Sequence, residues 1–294
     1  MNPAEAAPAK SGPQAANLLD NAYAASKMVY DVYDKKPLAP GWTDVTPGAN
    51  SETGKCFKQA EAVELKDPNG QHYVAFRGTQ TLNDVGQDID QGEGKHSAKY
   101  EAAAKIGDDY RGKNVVWAGH SLGGGLAQTA AAVASERPSG DPTPRPAVCV
   151  TFNSAHVTDM TMLRSGVDPN NVKSHLVEVV NEHDPLNRAI LGGKLHAGSA
   201  EVITERTGPN DVVIVASGKG GYSGSGHLIA NMDGPDGKLT TALHDANNLQ
   251  VKKAEFDRLM PGRDAIANTQ DVVKTLEQAR GQELQVDRAG HGGR

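Results

Sequence analysis

The segment VVWAGHSLGGGLAQTAAAVA, residues 115–134, constrains the fold of this 294-residue chain more than any other. It joins an apolar run typical of a buried strand to an alanine-rich run typical of a helix, and Ser121 lies at the junction. Gly119 and Gly123 flank this serine in a G-x-S-x-G pattern. Because the chain contains 33 glycines, chance alone would give this pattern in about one such chain in five. The strand-to-helix context therefore carries more information than the pattern.

A sharp turn from strand to helix holds a nucleophilic serine in a strained backbone and leaves no room for side chains two positions to either side. Gly119 and Gly123 meet that demand, and Gly124 lets the helix approach the sheet closely. The turn also places the serine at a helix amino end, where unpaired N–H groups favour a developing negative charge. The sequence therefore predicts Ser121 as a nucleophile and the N–H of Leu122 as an oxyanion donor. The alternative is a glycine-rich turn whose serine only caps the helix.

Hydrophobic periodicity predicts strands that alternate with helices. A helix is expected over residues 14–35, and a hairpin over 60–79 turns at 67–70, where Asn-Gly favours a tight turn. Further elements are helices near 98–110 and 126–136, strands at 114–119, 147–153 and 175–181, a short helix between the last two strands, and a second hairpin over 201–217. This order predicts an α/β fold with a mainly parallel central sheet and helices on both faces.

A single large domain is expected over residues 14–260. Residues 1–13 are rich in proline and alanine without an apolar period, which predicts disorder. Residues 261–294 predict a polar helical tail and a disordered carboxyl terminus. No internal repeat is present.

Charge and composition exclude several classes of protein. The net charge is −6 and the basic residues are scattered, which argues against a nucleic-acid partner. The longest apolar stretches, such as residues 130–134 and 212–216, are far shorter than the roughly 18 residues of a membrane span. The amino terminus has no apolar region after a basic one, so we expect synthesis in the cytoplasm without a Sec signal peptide.

Two cysteines are too few for a disulfide framework, so Cys56 and Cys149 are expected to be reduced thiols, with Cys149 buried. No metal-ligand spacing or phosphate-binding glycine motif occurs, and the carboxylates in residues 232–238 are better explained by a turn than by calcium. The sequence therefore predicts that no cofactor or metal is required.

A serine nucleophile needs a base, and the base needs a carboxylate that orients it. In a hydrolase of this type the chain order is serine, acid, histidine, so both partners should follow residue 121. Asp184 comes directly after the predicted strand at 175–181 and would emerge at the same sheet edge as the serine. Glu182 is the second candidate for the acid, and Asp159 lies too early in the chain. The alternative for Asp184 is a turn residue before Pro185.

Four histidines downstream of the serine are candidates for the base. His227 follows a glycine-rich loop, which suits a side chain that must reach both partners. His244 lies within a predicted helix, His183 adjoins the candidate acid, and His196 lies in a polar loop. His227 is therefore the predicted base, and the alternatives are His244 as the base and a surface or structural role for His227.

Several segments together resemble one family, the class 3 lipases, the fungal lipase and plant phospholipase A branch of the α/β-hydrolases. They are YVAFRGTQ (73–80), VVWAGHSLGGGLA (115–127), VTFNSAHV (150–157), VEVVNEHDPL (177–186) and GHLIANM (226–232), in the family's order. The resemblance implies an α/β-hydrolase fold that cleaves lipid esters with Ser121, Asp184 and His227. It also implies that Thr79 supplies a second oxyanion donor through its backbone N–H and hydroxyl.

The chain departs from the family in two places. Asn153 and Ala155 replace the glycine and proline that the family usually has in this loop. The segment between Thr79 and the serine is polar, without the amphipathic lid that activates lipases at an oil surface. This favours a lipid or phospholipid presented singly or on a polar membrane surface that the protein contacts transiently.

The flanking segments are similar to those of bacterial lipase effectors. That similarity implies export by a specialised secretion system, with a cognate inhibitor or the secretion machinery as partner. The alternatives to a lipid esterase are a hydrolase of small soluble esters or thioesters, and an inactive hydrolase-fold binding protein.

Overall fold

The computed structural model of the chain describes residues 12–79, 97–135, 147–155, 157, 159–168, 174–181, 212–216 and 227–232. The predictions for residues 1–11, for the polar segment 80–96, for the first arm of the second hairpin and for the helices after residue 238 lie outside these ranges.

Strands and helices alternate along the described chain. The helices are α1 (Gly12–Tyr33), α2 (Glu52–Ala60), α3 (Ala98–Asp109), α4 (Leu122–Ser135) and α5 (Asp159–Arg164). The strands are β1 (Thr43–Asp44), β2 (Ala62–Lys66), β3 (His72–Phe76), β4 (Val115–His120), β5 (Val148–Phe152), β6 (His175–Asn181) and β7 (Val212–Ala216). A short 3-10 turn spans Ile229–Asn231.

The described strands form one sheet whose spatial order is the order of the chain, β1 to β7. Strands β1, β2 and β3 pair antiparallel, whereas β3 to β7 are all parallel. The carboxyl ends of the parallel strands therefore lie along one edge. The predicted α/β architecture with a mainly parallel sheet is confirmed.

Side chains of each strand alternate between two hydrophobic layers, as the two-residue period of a strand requires. In β4, Val116 and Ala118 pack in the layer formed with α1, whereas Val115 and Trp117 pack in the layer formed with α2, α3 and α4. Helices therefore cover both faces, as predicted, and this explains why β4 is buried along its full length. None of the helices in the described ranges is long and apolar enough to cross a membrane.

The first hairpin is confirmed, with Lys66 paired to His72 across the turn. The carboxylate of Asp67 organises this turn, because it accepts hydrogen bonds from the backbone N–H of Asn69 at 2.8 Å and of Gln71 at 2.9 Å. Gly70 adopts a φ of +87°, which suits glycine. The turn fixes the register in which β2 pairs with β3.

Strand β7 pairs in parallel with β6, from Val177 opposite Val212 to Asn181 opposite Ala216. The second arm of the predicted hairpin is therefore a strand of the parallel sheet. Cys56 and Cys149 are both buried, and the predicted burial of Cys149 is confirmed.

Candidate active site

Ser121 occupies a tight turn between the end of β4 and the start of α4 at Leu122. Its φ is +56°, in the left-handed region that a residue with a side chain adopts at a cost of order 1–3 kcal/mol. Backbone hydrogen bonds hold it there. The Ser121 N–H donates to the carbonyl of Phe152 at 3.1 Å, and the Ser121 carbonyl accepts from the N–H of Gly124 and of Ala155, both at 2.9 Å. Strand β5 and the loop after it thus fix the serine.

The two glycines of the pattern are required by close backbone contacts. A Cβ at Gly119 would lie 2.2 Å from the carbonyl oxygen of Gly123, and a Cβ at Gly123 would lie 2.2 Å from the carbonyl oxygen of Phe76. Side-chain atoms do not tolerate such distances, so the steric demand inferred from the sequence is present. Helix α4 begins with three successive glycines after Leu122 even though glycine is a poor helix former, because this end packs directly against β3 and its neighbours.

The side chains of Ser121 and His227 meet although 106 residues separate them in sequence. The Nε2 atom of His227 lies 2.9 Å from the Ser121 Oγ atom, and the two residues are only 3% and 1% exposed. Both side chains are therefore withdrawn from bulk water at hydrogen-bond distance.

The segment that carries His227 is fixed mainly through its backbone. The hydroxyl of Tyr23, on α1, donates to the carbonyl of Ile229 at 2.5 Å. Met232, at the end of the same segment, is fully buried in the layer formed with α1. The carbonyl of His227 accepts two further hydrogen bonds, from His120 Nε2 at 2.6 Å and from Asn153 Nδ2 at 3.2 Å.

Asn153 links the segment that carries His227 to the end of β6. Its Nδ2 atom donates to the His227 carbonyl, and its Oδ1 atom accepts from the backbone N–H of Asn181 at 2.7 Å. Its φ of +44° lies in the left-handed region, which asparagine tolerates better than most residues. Asn153 thus combines a left-handed backbone with a side chain that binds two segments.

The end of β3 approaches the serine closely. A Cβ at Gly78 would lie 3.2 Å from the Ser121 Cβ and 2.3 Å from the carbonyl oxygen of His120. The Gly78 N–H donates to the hydroxyl of Tyr30 at 3.2 Å, which anchors this strand end to α1. Thr79 is the next residue and is half-buried, and Leu122 is the first residue of α4. The structure therefore brings the chain segments of both candidate oxyanion donors to Ser121.

A guanidinium group supports the same strand end. Arg77 lies over the ring of Tyr33, 5.2 Å from its centroid, and over that of Tyr30 at 5.7 Å. Its Nη1 atom is 3.5 Å from a carboxylate oxygen of Glu61, which also pairs with Lys99. Burial, reinforced by the Glu61 charge, raises the pKa of Tyr33 to about 12. The tyrosines therefore remain neutral partners of the cation.

A second polar group lies beneath the turn. The hydroxyl of Ser154 accepts from Gln128 Nε2 at 2.9 Å and donates to the carboxylate of Glu178 at 3.1 Å. Glu178 belongs to β6 and is 2% exposed. This chain of hydrogen bonds ties α4 to the sheet behind the serine.

The imidazole of His120 is buried beside the candidate base, with the two ring centroids 4.9 Å apart. Burial, and then repulsion from His227, lowers the pKa of His120 to about 3 from the usual value of 6.5, against the opposing effect of its bond to the His227 carbonyl. His120 is therefore neutral at physiological pH. Burial likewise raises the pKa of Tyr30, so its hydroxyl keeps its proton.

The structure brings together four of the residues that the sequence singled out: Ser121, His227, and the segments of Thr79 and Leu122. Asp184 lies outside the described residues, as do Glu182, His183, His196 and His244. Asp159 is the first residue of α5. In the parts of the chain that the structure describes, no group of three or more histidine, cysteine or carboxylate side chains is arranged to hold a metal ion.

Sequence reasoning missed Tyr30 and His120, and noted Asn153 only as a departure. The position of His120 beside the serine was one available signal. No local pattern indicates that His120 binds the carbonyl of His227, 107 residues later.

Comparison with known proteins finds two similarities. Residues 20–206 match the family described as the Tle-like phospholipase domain. The extracellular phospholipase A1 of Serratia liquefaciens is 40% identical over 128 residues, which are 42% of this chain and 35% of that protein. The aligned region is thus about a third of the relative's length. The family match includes Ser121 and ends before His227.

Proposed function

We propose that this chain is a serine esterase that hydrolyses carboxylic esters of phospholipids. The chain belongs to the family of Tle-like phospholipase domains, which supports this substrate class. The observation that carries the proposal is the 2.9 Å contact between His227 Nε2 and Ser121 Oγ at a strained, buried turn between strand and helix. A serine hydroxyl becomes an effective nucleophile when a neutral imidazole at this distance accepts its proton.

The reaction would proceed through an acyl-enzyme. The Ser121 oxygen attacks the acyl carbonyl carbon while His227 takes the hydroxyl proton, and the resulting oxyanion accepts hydrogen bonds from the Leu122 N–H and from Thr79. The tetrahedral intermediate expels the alcohol oxygen of the lysolipid, which takes the proton from His227. Water, deprotonated by His227, then attacks the acyl-serine ester, and the fatty acid leaves as the Ser121 hydroxyl is restored.

Asp184 is the proposed acid that accepts the Nδ1 hydrogen of His227 and holds the ring in the required tautomer. The support is the link through Asn153, which joins the N–H of Asn181 to the carbonyl of His227. Asp184 follows Asn181 by three residues, which span at most about 10 Å. Glu182 is the alternative, so matched Asp184→Asn and Glu182→Gln variants discriminate: only the loss of the true acid should lower kcat by about 10⁴-fold.

A phospholipid is the proposed substrate class. It follows from the family and from the Serratia relative, whose name specifies phospholipase A1. By analogy with that relative we propose cleavage at the sn-1 ester and action outside the cytoplasm. Export through a specialised secretion system is proposed from the similarity of the flanking segments to those of bacterial lipase effectors. The proposed partners are a polar membrane surface, contacted transiently, and a cognate inhibitor or the secretion machinery.

The test uses mixed vesicles of a phospholipid with palmitate at sn-1 and oleate at sn-2, with mass spectrometry of the products. The parent protein should release palmitate and oleoyl lysolipid, and Ser121→Ala, shown by circular dichroism to be folded, should release neither. Release of oleate would replace the A1 assignment with cleavage at sn-2. Cleavage of short p-nitrophenyl esters without any lysolipid would instead support a soluble-ester hydrolase. A folded parent protein that does not react with a fluorophosphonate would support an inactive binding protein.

A further inference from the structure

The side chain of His120 joins three elements of the candidate site. Its Nε2 atom lies 2.6 Å from the carbonyl oxygen of His227, and its Nδ1 atom lies 3.5 Å from the hydroxyl of Tyr30. That hydroxyl accepts the N–H of Gly78, the residue before Thr79. A continuous series of hydrogen bonds thus runs from the oxyanion strand end, through α1 and His120, to the base. We call this series the His120 bridge.

The direction of each bond is fixed by chemistry. A backbone carbonyl can only accept, so His120 Nε2 must carry a hydrogen and Nδ1 must be the acceptor in the neutral ring. The Tyr30 hydroxyl, which accepts from Gly78, is then able to donate to His120 Nδ1. His120 is 4% exposed, so water does not replace these partners easily. All the hydrogen bonds of the bridge therefore form only when His120 is neutral and carries its hydrogen on Nε2.

The position of the His227 backbone decides whether its imidazole reaches the serine. His120 and Asn153 supply two donors to the same carbonyl from β4 and from the loop after β5. The shorter of the two bonds comes from His120, whose neighbour in sequence is Ser121 itself. Two adjacent backbone positions therefore carry the proposed nucleophile, Ser121, and the donor that holds the backbone of His227, His120. A displacement of about 1 Å in such an arrangement costs on the order of 100-fold in rate.

We propose that His120 is a positioning residue which fixes the backbone of His227 relative to Ser121 and, through Tyr30, couples the base to the strand end that carries Thr79. This role rests on the proposed function, because it presupposes that His227 is the base. His120 itself does not touch the substrate or exchange a proton with it.

The test compares two variants of nearly equal length, His120→Gln and His120→Met. The glutamine Nε2 hydrogen takes the place of the histidine Nε2 hydrogen, whereas methionine fills the same space without a donor. We expect His120→Gln to keep kcat for a short p-nitrophenyl ester within about threefold of the parent, and His120→Met to lower it by 10- to 100-fold. KM should change by less than about twofold in both, because neither variant alters the acyl pocket. Equal kcat in the two folded variants would overturn the proposal.

Tyr30→Phe decides the outcome should the methionine variant not fold, since it removes only a hydroxyl. We expect a three- to tenfold lower kcat with little change in KM, and an unchanged kcat would remove the bridge from the mechanism. His72→Phe is the matched control for kcat and KM, because it removes a histidine at the opposite edge of the sheet. It also removes the contact with Glu64 and can lower stability, but the folded variant should keep the kcat and KM of the parent. Parent protein and Ser121→Ala run in parallel. Inactivity of the parent refutes the proposed function, whereas an active parent with an equally active methionine variant refutes only the role of His120.

Discussion

Adding one methyl group at Gly123 should impair the proposed hydrolysis without altering any of the three proposed catalytic side chains. The new Cβ would lie 2.2 Å from the Phe76 carbonyl oxygen and 2.9 Å from the carbonyl carbon of Arg77. An ordinary contact needs about 3.4 Å or more, so the amino end of α4 and the end of β3 must separate by about 1.2 Å. Both partners are backbone atoms of regular elements, so no side chain can rotate to relieve the contact.

This separation moves the oxyanion donors apart, because Leu122 adjoins Gly123 on one side and Thr79 follows Phe76 on the other. Loss of one oxyanion donor costs about 3 kcal/mol of transition-state stabilisation, or roughly 100-fold or more in kcat. Overpacking should also lower the free energy of unfolding by about 1–3 kcal/mol. We therefore expect Gly123→Ala to fold, to melt at a lower temperature, and to lose at least 100-fold in kcat.

The assay is hydrolysis of a short p-nitrophenyl ester, with thermal unfolding measured on the same samples. Gly48→Ala is the matched control, because nothing lies within 4 Å of its added Cβ and its φ is not positive, so its kcat and melting temperature should equal those of the parent. A Gly123→Ala protein with the kcat and stability of the parent would show that the two elements have room to adjust, and the steric reasoning would be refuted.

Three further outcomes are expected. Asn153→Gly keeps a backbone that tolerates a positive φ but removes the donor to the His227 carbonyl. We expect kcat to fall by about tenfold and the free energy of unfolding to fall by about 1–2 kcal/mol. Parent values of both quantities would contradict the link through Asn153. The pKa of His120 is depressed from 6.5 to about 3, so below pH 6.5 the unfolded chain binds a proton that the folded chain does not. Stability should therefore fall by about 1.4 kcal/mol per pH unit, or about 2 kcal/mol between pH 7 and pH 5, relative to His120→Gln in urea unfolding; parallel pH curves would argue against it. Tyr110→Phe removes the hydroxyl that donates to buried Glu64 and should cost about 1–3 kcal/mol of stability with no change in kcat; a fall in kcat would place the pair in the site.

The parts of the fold that the sequence predicts well are those with short-range signals. Strand β6 was predicted with the bounds that it has, because its apolar run is bordered by turn residues. The Asp67 turn is similarly local, because its hydrogen bonds join residues within four positions. The turn at Ser121 has a local glycine signal, although β5 and the loop after it also hold its backbone. These signals suffice to predict the strand-to-helix turn at Ser121 and the sheet edge on which it lies.

The remainder of the site depends on contacts between distant segments. Tyr30 belongs to a helix whose apolar face was predicted, but periodicity does not indicate that its hydroxyl binds Gly78, 48 residues later. Asn153 was noted as a departure from a family pattern, and only its position between the ends of two strands shows what its carboxamide does. A local turn signal favoured the second hairpin, whose first arm lies outside the described residues. The parallel pairing of its second arm, β7, with β6 is a contact between distant segments that no local signal indicates.

The segment 227–232 is attached through main-chain groups, so the position of the proposed base does not depend on the side chains that this segment exposes to solvent. The carbonyls of His227 and Ile229 and the buried side chain of Met232 hold this segment, whereas the side chains of Leu228 and Ala230 are exposed. Leu228 is 46% exposed immediately beside the base. We therefore expect substitutions at these two positions to change the surface beside the proposed base while the imidazole stays in place. In the proposed esterase, such changes would alter selectivity without loss of turnover.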